Sequence, residues 1–324
     1  MVFDGHSDLL YDVTRRRLEG ETRVLERRHL EHLREGGVEG LALAFWYGTG
    51  QGQTFWKDVP GAETAEARLR IMTECAQAEF AECPWLSVVR TAEEAEAARD
   101  SGKLYAFLSV EGLSAIGEDL TGIEELAALG VRLGTLTWNE ENALASGAAQ
   151  DSRKGLTPLG RAALRKLEDC GIFPDVSHLN DGGFRDVLRL ADSPVIASHS
   201  NCRALCDVPR NLTDEQLRAI RDTGGVVGLN SHHAFVHPAP ERQTLEALAI
   251  HAAHMSDVMG VEYVACGFDF CHYMGPGNDS VIGLEDCGKI PGFLACLEAL
   301  GMNSTERELI ARGNFLRLLS ARGS

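Results

Sequence analysis

Short apolar runs alternate with amphipathic segments along the chain of 324 residues. The runs are apolar or β-branched at nearly every position and are bounded by glycine or proline, as is typical of strands covered on both faces. This pattern predicts eight strands, at residues 1–5, 40–46, 104–110, 131–138, 171–177, 194–200, 225–231 and 262–268.

The segments between these runs have apolar residues at helical spacing. In residues 211–225, for example, Thr213 is a predicted helix N-cap with Gln216 three residues later, and two glycines end the helix. Strands that alternate with helices indicate βαβ units and a parallel sheet. Eight such units without a linker favour a closed (β/α)8 TIM barrel over an open doubly wound sheet. We therefore expect an α/β fold with a single (β/α)8 barrel catalytic domain over residues 1–324.

The charge and composition narrow the class of partner. The chain has 31 Lys and Arg against 48 Asp and Glu, a formal charge of −17, which argues against a nucleic-acid backbone or an anionic membrane as partner. A dinucleotide cofactor has no support either, because the first βα turn lacks a GxGxxG motif.

The nine cysteines do not form a CxxC pair and do not indicate a disulfide framework. No basic leader with a following apolar stretch is present, and no apolar run reaches the roughly 18 residues that a membrane span needs. These features predict a cytoplasmic location.

Residues able to bind a metal lie at the C-terminal ends of five predicted strands, where barrel enzymes carry their functional side chains. They are His6, Asp8, Glu111, His178, His199 and Asp269. Each has an ordinary alternative on its own: a hydrogen-bonded structural histidine, a helix N-cap at Asp8 or a surface carboxylate at Glu111. Their joint position around one rim favours a metal site.

The number and type of these residues indicate two ions. His6 and Asp8 are two apart on a strand, so their side chains point to the same face and can reach one ion. Three histidines and two carboxylates suit zinc or a similar metal. Five ligands are too many for one open tetrahedral site but enough for two ions about 3.5–4 Å apart that share a carboxylate, which leaves Asp269 free as a base.

Several motifs then resemble those of one family, the membrane (renal) dipeptidases and their bacterial relatives, peptidase family M19. The resemblance extends in order over nearly the whole chain. It is carried by DGHSDLL, SVEG, GLTPLGRAALRKLEDCGIFPDVSHLND, PVIASHSNCRALCDVPRNLTDEQLRAI, GGVVG, CGFDF, GLEDCGKIPGFLACL and GNFLRLL.

The resemblance implies an amidohydrolase-like barrel that hydrolyses the amide bond of dipeptides by a hydroxide generated at a dinuclear centre, with Zn²⁺ favoured. His6 and Asp8 of DGHSD would hold one ion, and Glu111 of SVEG would bridge both. His178 of DVSH and His199 of ASHS would hold the other.

The resemblance also implies roles in substrate binding and proton transfer. Arg210 of PRN would bind the substrate's C-terminal carboxylate, and Asp269 of GFDF would be the acid/base. Members of the family are often dimers, so a homodimer is an expectation carried by the resemblance alone.

Two positions depart from the family pattern. Trp138, in LTWNEEN, stands where the vertebrate enzymes have a histidine, and is predicted as a wall of the substrate pocket rather than a core residue. Cys271 and His272 replace the aspartate and glycine that usually follow DF. These departures leave two alternatives open: a dinuclear amidohydrolase acting on N-acyl amino acids or β-lactam-like amides, and a catalytically silent metal-binding relative.

Overall fold

The computed structural model describes residues 1–48 and 55–320, and its strands are short and parallel. The strands are β1 Val2–Ser7, β2 Val38–Phe45, β3 Leu86–Val88, β4 Leu104–Glu111, β5 Val131–Thr135, β6 Phe173–Asp175, β7 Val227–Leu229 and β8 Val264–Cys266.

Helices lie between successive strands and after the last strand. They are α1 Leu9–Leu18, α2 Leu30–Glu35, α3 Ala65–Glu82, α4 Ala92–Asp100, α5 Thr121–Leu129, α6 Pro158–Asp169, α7 Asp181–Leu190, α8 Asp214–Asp222, α9 Leu245–Met259, α10 Ile290–Ala299, α11 Ser304–Glu308 and α12 Asn314–Ser320. The predicted capping box of α8 is confirmed, since Thr213 accepts from the backbone of Gln216 and the Gln216 side chain accepts from the backbone of Thr213.

The strands follow one another around a barrel. β1, β2, β4, β5 and β6 pair in this order, and β7 pairs with β8. The predicted strand at 194–200 links the two groups by single bridges, from Ile196 to Asp175 and from Ala197 to Val227.

This sixth segment is not a continuous strand as predicted, because some of its backbone N–H groups donate to side-chain oxygens instead of to the backbone carbonyls of a neighbouring strand. The backbone N–H of Val195 donates to Thr223 Oγ1, and that of Ser198 donates to Asp175 Oδ1. The prediction also missed β3, which pairs only with the first residues of β4 and is too short to show a pattern.

The barrel closes where β8 meets β1. Asp4 in β1 accepts a hydrogen bond from the N–H of Phe268 at 2.8 Å, and the His6 carbonyl accepts one from Asp269 at 3.4 Å. Gly267 donates to the carbonyl of Leu229 on the other side. The predicted (β/α)8 barrel is thereby confirmed.

Aromatic side chains fill the N-terminal end of the barrel. The ring of Phe3 lies 5.9 Å from that of Phe107 and 5.4 Å from that of Phe315, which α12 contributes from below. Gly5 allows this approach, since a Cβ there would lie 2.2 Å from the Phe315 ring. Because this end is packed, the opening of the barrel lies at the C-terminal ends of the strands. Among the described helices, none is long and apolar enough to cross a bilayer.

Candidate metal centre and active site

The structure brings the predicted ligands together at the C-terminal ends of the strands. His6 lies near the end of β1, Glu111 ends β4, and His178 follows β6. His199 lies in the bridged segment that precedes α8, and Asp8 follows β1. All five are buried, which a solvated surface patch would not be.

His6 lies at the centre of a first group. Its Nε2 atom is 3.6 Å from Asp8 Oδ1, 3.7 Å from Glu111 Oε1 and 3.9 Å from Asp269 Oδ1. Donor atoms of His6, Asp8 and Asp269 are close enough together to be ligands of one ion, and so are donor atoms of His6, Glu111 and His199.

A second group forms around the same carboxylate. Oε1 of Glu111 lies 2.7 Å from Nε2 of His178 and 3.3 Å from Nε2 of His199. Glu111 is therefore shared by both groups, in agreement with a bridging position.

Neighbouring polar groups orient both histidines through their other ring nitrogen. Nδ1 of His178 lies 2.9 Å from Asn139 Oδ1, and Nδ1 of His199 lies 2.7 Å from Ser198 Oγ. Since an amide oxygen can only accept, His178 carries its proton on Nδ1, and Nε2 is free to bind a metal. Sequence reasoning missed Asn139, whose only signal was its place directly after Trp138 in a strand-end loop.

The donor atoms fit a divalent metal because several of them are buried without a partner. Nε2 of His6, Oδ1 of Asp8 and Oε2 of Glu111 have no hydrogen bond within residues 1–48 and 55–320. Burying a polar atom without a partner costs free energy, which a bound cation would offset. The mixed nitrogen and oxygen set is one that zinc and similar metals accept.

The electrostatics of the site favour a cation, because buried carboxylates crowd together there. Burial and the Asp8 charge raise the pKa of Glu111 well above its usual value. Burial lowers the pKa of His6, but the nearby carboxylates of Glu111 and Asp8 outweigh burial and bring it to about 10. His178 and His199 have pKa values well below 6.5, chiefly through burial. They are neutral at pH 7, as metal-binding imidazoles must be.

Asp269 is held by two donors. Asn230 Nδ2 donates to its Oδ2 at 3.0 Å, and Cys271 Sγ donates to its Oδ1 at 3.2 Å. Burial raises the pKa of Asp269 to about 6. Asp269 and His178 also have positive φ angles of 59° and 68°, a left-handed conformation that non-glycine residues avoid and that often occurs at functional sites.

The two replacements after Asp269 have different surroundings. Cys271 is buried, and its thiol also lies 3.8 Å from Asp8 Oδ2, so this departure is in contact with the site. His272 is exposed.

Arg210 is buried beside the second group. Its Nη1 donates to Ser200 Oγ at 2.7 Å and its Nη2 to the His199 carbonyl at 2.9 Å. Nε has no partner, and no Asp or Glu forms an ion pair with Arg210 in the part of the chain that is described. The guanidinium therefore carries a buried charge that is available to an anionic ligand.

Trp138 lies at the rim. Its ring centroid is 6.1 Å from the ring of His178 and 5.2 Å from that of Trp46, which in turn lies 5.1 Å from Tyr11. Trp138 is only partly buried. Tyr11, Trp46 and Trp138 thus form an aromatic wall beside the predicted metal ligands, and the sequence indicated only Trp138 of these three.

Comparison with known proteins gives a consistent result. The model of the family described as membrane dipeptidase, peptidase family M19, matches residues 1–322. An uncharacterized protein in the pqqA 5′ region of Klebsiella pneumoniae is 33% identical over 72% of this chain and 88% of its own length. The dipeptidase tcpJ of Claviceps purpurea is 30% identical over 68% of this chain and 51% of its own length. This chain thus spans only about half of the fungal relative.

Solved structures agree over the whole chain. A metallopeptidase from Rhodobacter sphaeroides, crystallised with a phosphinate mimic of the dipeptide L-Ala-D-Ala, has a TM-score of 0.87 and 28% identity, with 99% of both chains covered. A metallopeptidase described as dipeptidase AC, family M19, has the same TM-score and identity, with 100% and 99% covered.

Proposed function

The chain belongs to the membrane dipeptidase family of metal-dependent peptide-bond hydrolases, peptidase family M19, and on that premise we propose that it is a zinc-dependent dipeptidase with two metal ions. One observation carries the proposal. Three buried histidines (His6, His178 and His199) converge on Glu111, Asp8 lies beside His6, and several donor atoms of these five residues lack any partner among the described residues.

The ligands divide into two sets that share Glu111. His6 and Asp8 would hold one ion, and His178 and His199 the other, with Glu111 between them. When bound, two such ions lower the pKa of a water molecule and polarise the amide carbonyl of the substrate.

Asp269 would move the proton. Its carboxylate lies at the metal centre, 3.9 Å from His6 Nε2, and is oriented by Asn230 and Cys271. In this position it can accept a proton from the attacking water and donate it to the leaving amine. The thiol of Cys271 supplies a weak donor, so it orients Asp269 without protonating it.

Arg210 would bind the free carboxylate of the substrate. Its buried guanidinium has no acidic partner in the described structure and keeps Nε free for a hydrogen bond. A charge-assisted bond from arginine to a carboxylate is strong and directional. A residue beyond the C-terminal one would collide with Arg210, which favours dipeptides over longer peptides.

The aromatic wall of Tyr11, Trp46 and Trp138 would contact an apolar part of the substrate. Trp138 cannot carry the positive charge of the histidine found in vertebrate enzymes, so any polar contribution it makes is limited to its indole N–H.

Metal analysis and dipeptide kinetics test the proposal together. Protein freed of metal by a chelator should be inactive and should regain activity with two equivalents of Zn²⁺. A panel of L,L and L,D dipeptides should include L-Ala-D-Ala, because the similar Rhodobacter enzyme binds a mimic of it. N-acyl amino acids and a β-lactam serve as the alternative substrates. Two bound ions without hydrolysis of any dipeptide would refute the proposal.

A further inference from the structure

Glu140 is a partly buried residue whose two carboxylate oxygens have no hydrogen-bond partner in the described part of the chain. Neither Oε1 nor Oε2 accepts a hydrogen bond from any residue of the described chain, and both atoms are inaccessible to solvent. The adjacent Glu141 differs in exposure and in partners. It is exposed, and its carboxylate accepts hydrogen bonds from Lys154 at 2.5 Å and from Ser146 at 3.2 Å.

The backbone around Glu140 is fixed against the metal-binding residues. Asn139, the preceding residue, contacts Nδ1 of His178, and Ala148 N–H donates to the His178 carbonyl at 2.6 Å. The Glu140 carbonyl accepts from Gly147 at 2.8 Å and so closes this loop. Glu140 therefore belongs to the rim segment that carries Trp138.

Glu140 also lies within electrostatic range of the first strands. Its charge, after burial, is among the causes that raise the pKa of Tyr47. The Tyr47 hydroxyl donates to the carbonyl of Gly112, the residue after Glu111. Glu140 lies in the segment after β5, whereas Arg210 donates to the His199 carbonyl, so these two opposite charges lie at different places around the C-terminal end of the barrel.

These two charges are opposite in sign to the two ends of a free dipeptide. A dipeptide is a zwitterion whose ammonium and carboxylate groups are separated by two residues, or about 7 Å when extended. An unpaired buried carboxylate is unfavourable until a cation approaches it. The substrate is the only cation that the proposed reaction brings to the site apart from the metal ions.

We propose that Glu140 binds the α-ammonium group of the substrate's N-terminal residue while Arg210 binds its C-terminal carboxylate. This inference rests on the proposed dipeptidase function and deepens it. Recognition of both ends selects free dipeptides and excludes N-acyl amino acids, which have no ammonium group.

Glu140→Gln tests this inference, with Glu141→Gln as the matched control. The substrates are the best dipeptide of the panel and its des-amino analogue, in which hydrogen replaces the ammonium group. We expect Glu140→Gln to lower kcat/KM for the dipeptide by about 10- to 100-fold and to leave the des-amino analogue unchanged. Glu141→Gln should change neither.

Binding provides a readout that is independent of turnover. Calorimetry with a phosphinate dipeptide mimic should show the same loss of affinity in Glu140→Gln, and no loss with the des-amino mimic. If Glu140→Gln does not fold, Glu140→Asp keeps the charge and should give a smaller loss with the same selectivity for the ammonium group.

The two proposals fail in different ways. Equal effects of Glu140→Gln on both substrates, or none on either, in an enzyme that hydrolyses dipeptides would overturn the role of Glu140 alone. Wild-type protein that holds two ions but neither hydrolyses dipeptides nor binds the mimic would overturn the dipeptidase function itself.

Discussion

The Nε2 atoms of His178 and His199 lie only 3.0 Å apart. Both also lie within 3.3 Å of the same oxygen of Glu111. Because Nδ1 of His178 donates to the amide oxygen of Asn139, the Nε2 atom of His178 is unprotonated and is directed at this small space. A cation that binds both nitrogens and the carboxylate satisfies all three groups.

Glu111→Gln is expected to disrupt both metal positions, since an amide is a poorer ligand than a bridging carboxylate. Bound metal should fall below two ions per chain, and kcat/KM should fall by more than about 100-fold. Mutation of residues that only contact a metal ligand already lowers metal affinity or activity by about 10- to 100-fold, and Glu111 is a proposed ligand itself. Elemental analysis and kinetics measure the two effects. The exposed Glu118→Gln is the control. Near-normal activity of Glu111→Gln would refute the bridging assignment.

Arg210→Met should raise KM for free dipeptides by about 10- to 100-fold, because a charge-assisted hydrogen bond to the substrate carboxylate is lost. C-terminally amidated dipeptides lack that charge and should be affected much less. Arg218→Met, on the exposed face of α8, controls for loss of a positive charge. The same loss for both substrates would rule out carboxylate binding by Arg210.

His251 should make stability depend on pH. It is buried, its Nδ1 accepts from Cys202 N–H at 3.1 Å, and its Nε2 donates to the Val236 carbonyl at 2.9 Å. Burial lowers its pKa from 6.5 to about 4. Between these values the unfolded chain binds a proton that the folded chain does not, so stability falls as the pH decreases. The contribution to this loss at pH 5 is about 2 kcal/mol.

Urea denaturation at pH 7.5 and pH 5 measures this effect. His251→Gln can keep both hydrogen bonds but cannot be protonated, so its loss of stability between the two pH values should be smaller by that amount. His32→Gln, at an exposed histidine, should behave like the wild type. An equal pH dependence in all three proteins would contradict the prediction.

Arg312→Met should destabilise the barrel by about 3–5 kcal/mol, because it leaves the buried Glu39 carboxylate without its cation. Nη1 of Arg312 lies 2.9 Å from both oxygens of Glu39, and among the described residues only the Tyr105 hydroxyl, at 3.0 Å, would remain as a donor. Arg307→Met breaks a pair whose carboxylate, that of Glu298, is exposed, and should cost at most about 1 kcal/mol because water can solvate that carboxylate. Urea denaturation distinguishes the two, and similar losses would disprove the difference.

Much of the fold could be predicted because strand and helix periods are local properties. The apolar run predicted as a strand at 104–110 corresponds to β4, and Thr213, predicted as an N-cap, is the N-cap of α8. The segment at 194–200 could not be predicted correctly, because Thr223 and Asp175 supply side-chain acceptors from distant parts of the chain. Family membership confirms the expected peptide-bond hydrolase. Zinc, the single domain, the cytoplasmic location and the homodimer stay predictions.

The sequence by itself determined which residue types end each strand, because a parallel barrel brings all strand ends to one side. His6, Asp8 and Glu111 were recognisable for that reason. Only the tertiary structure decided which groups have partners. Within the described residues it pairs Glu141 with Lys154, leaves the Glu140 carboxylate unpaired and leaves Arg210 without an acidic partner. Two adjacent glutamates have the same chemistry in the sequence and differ only through the distant groups that folding places around them.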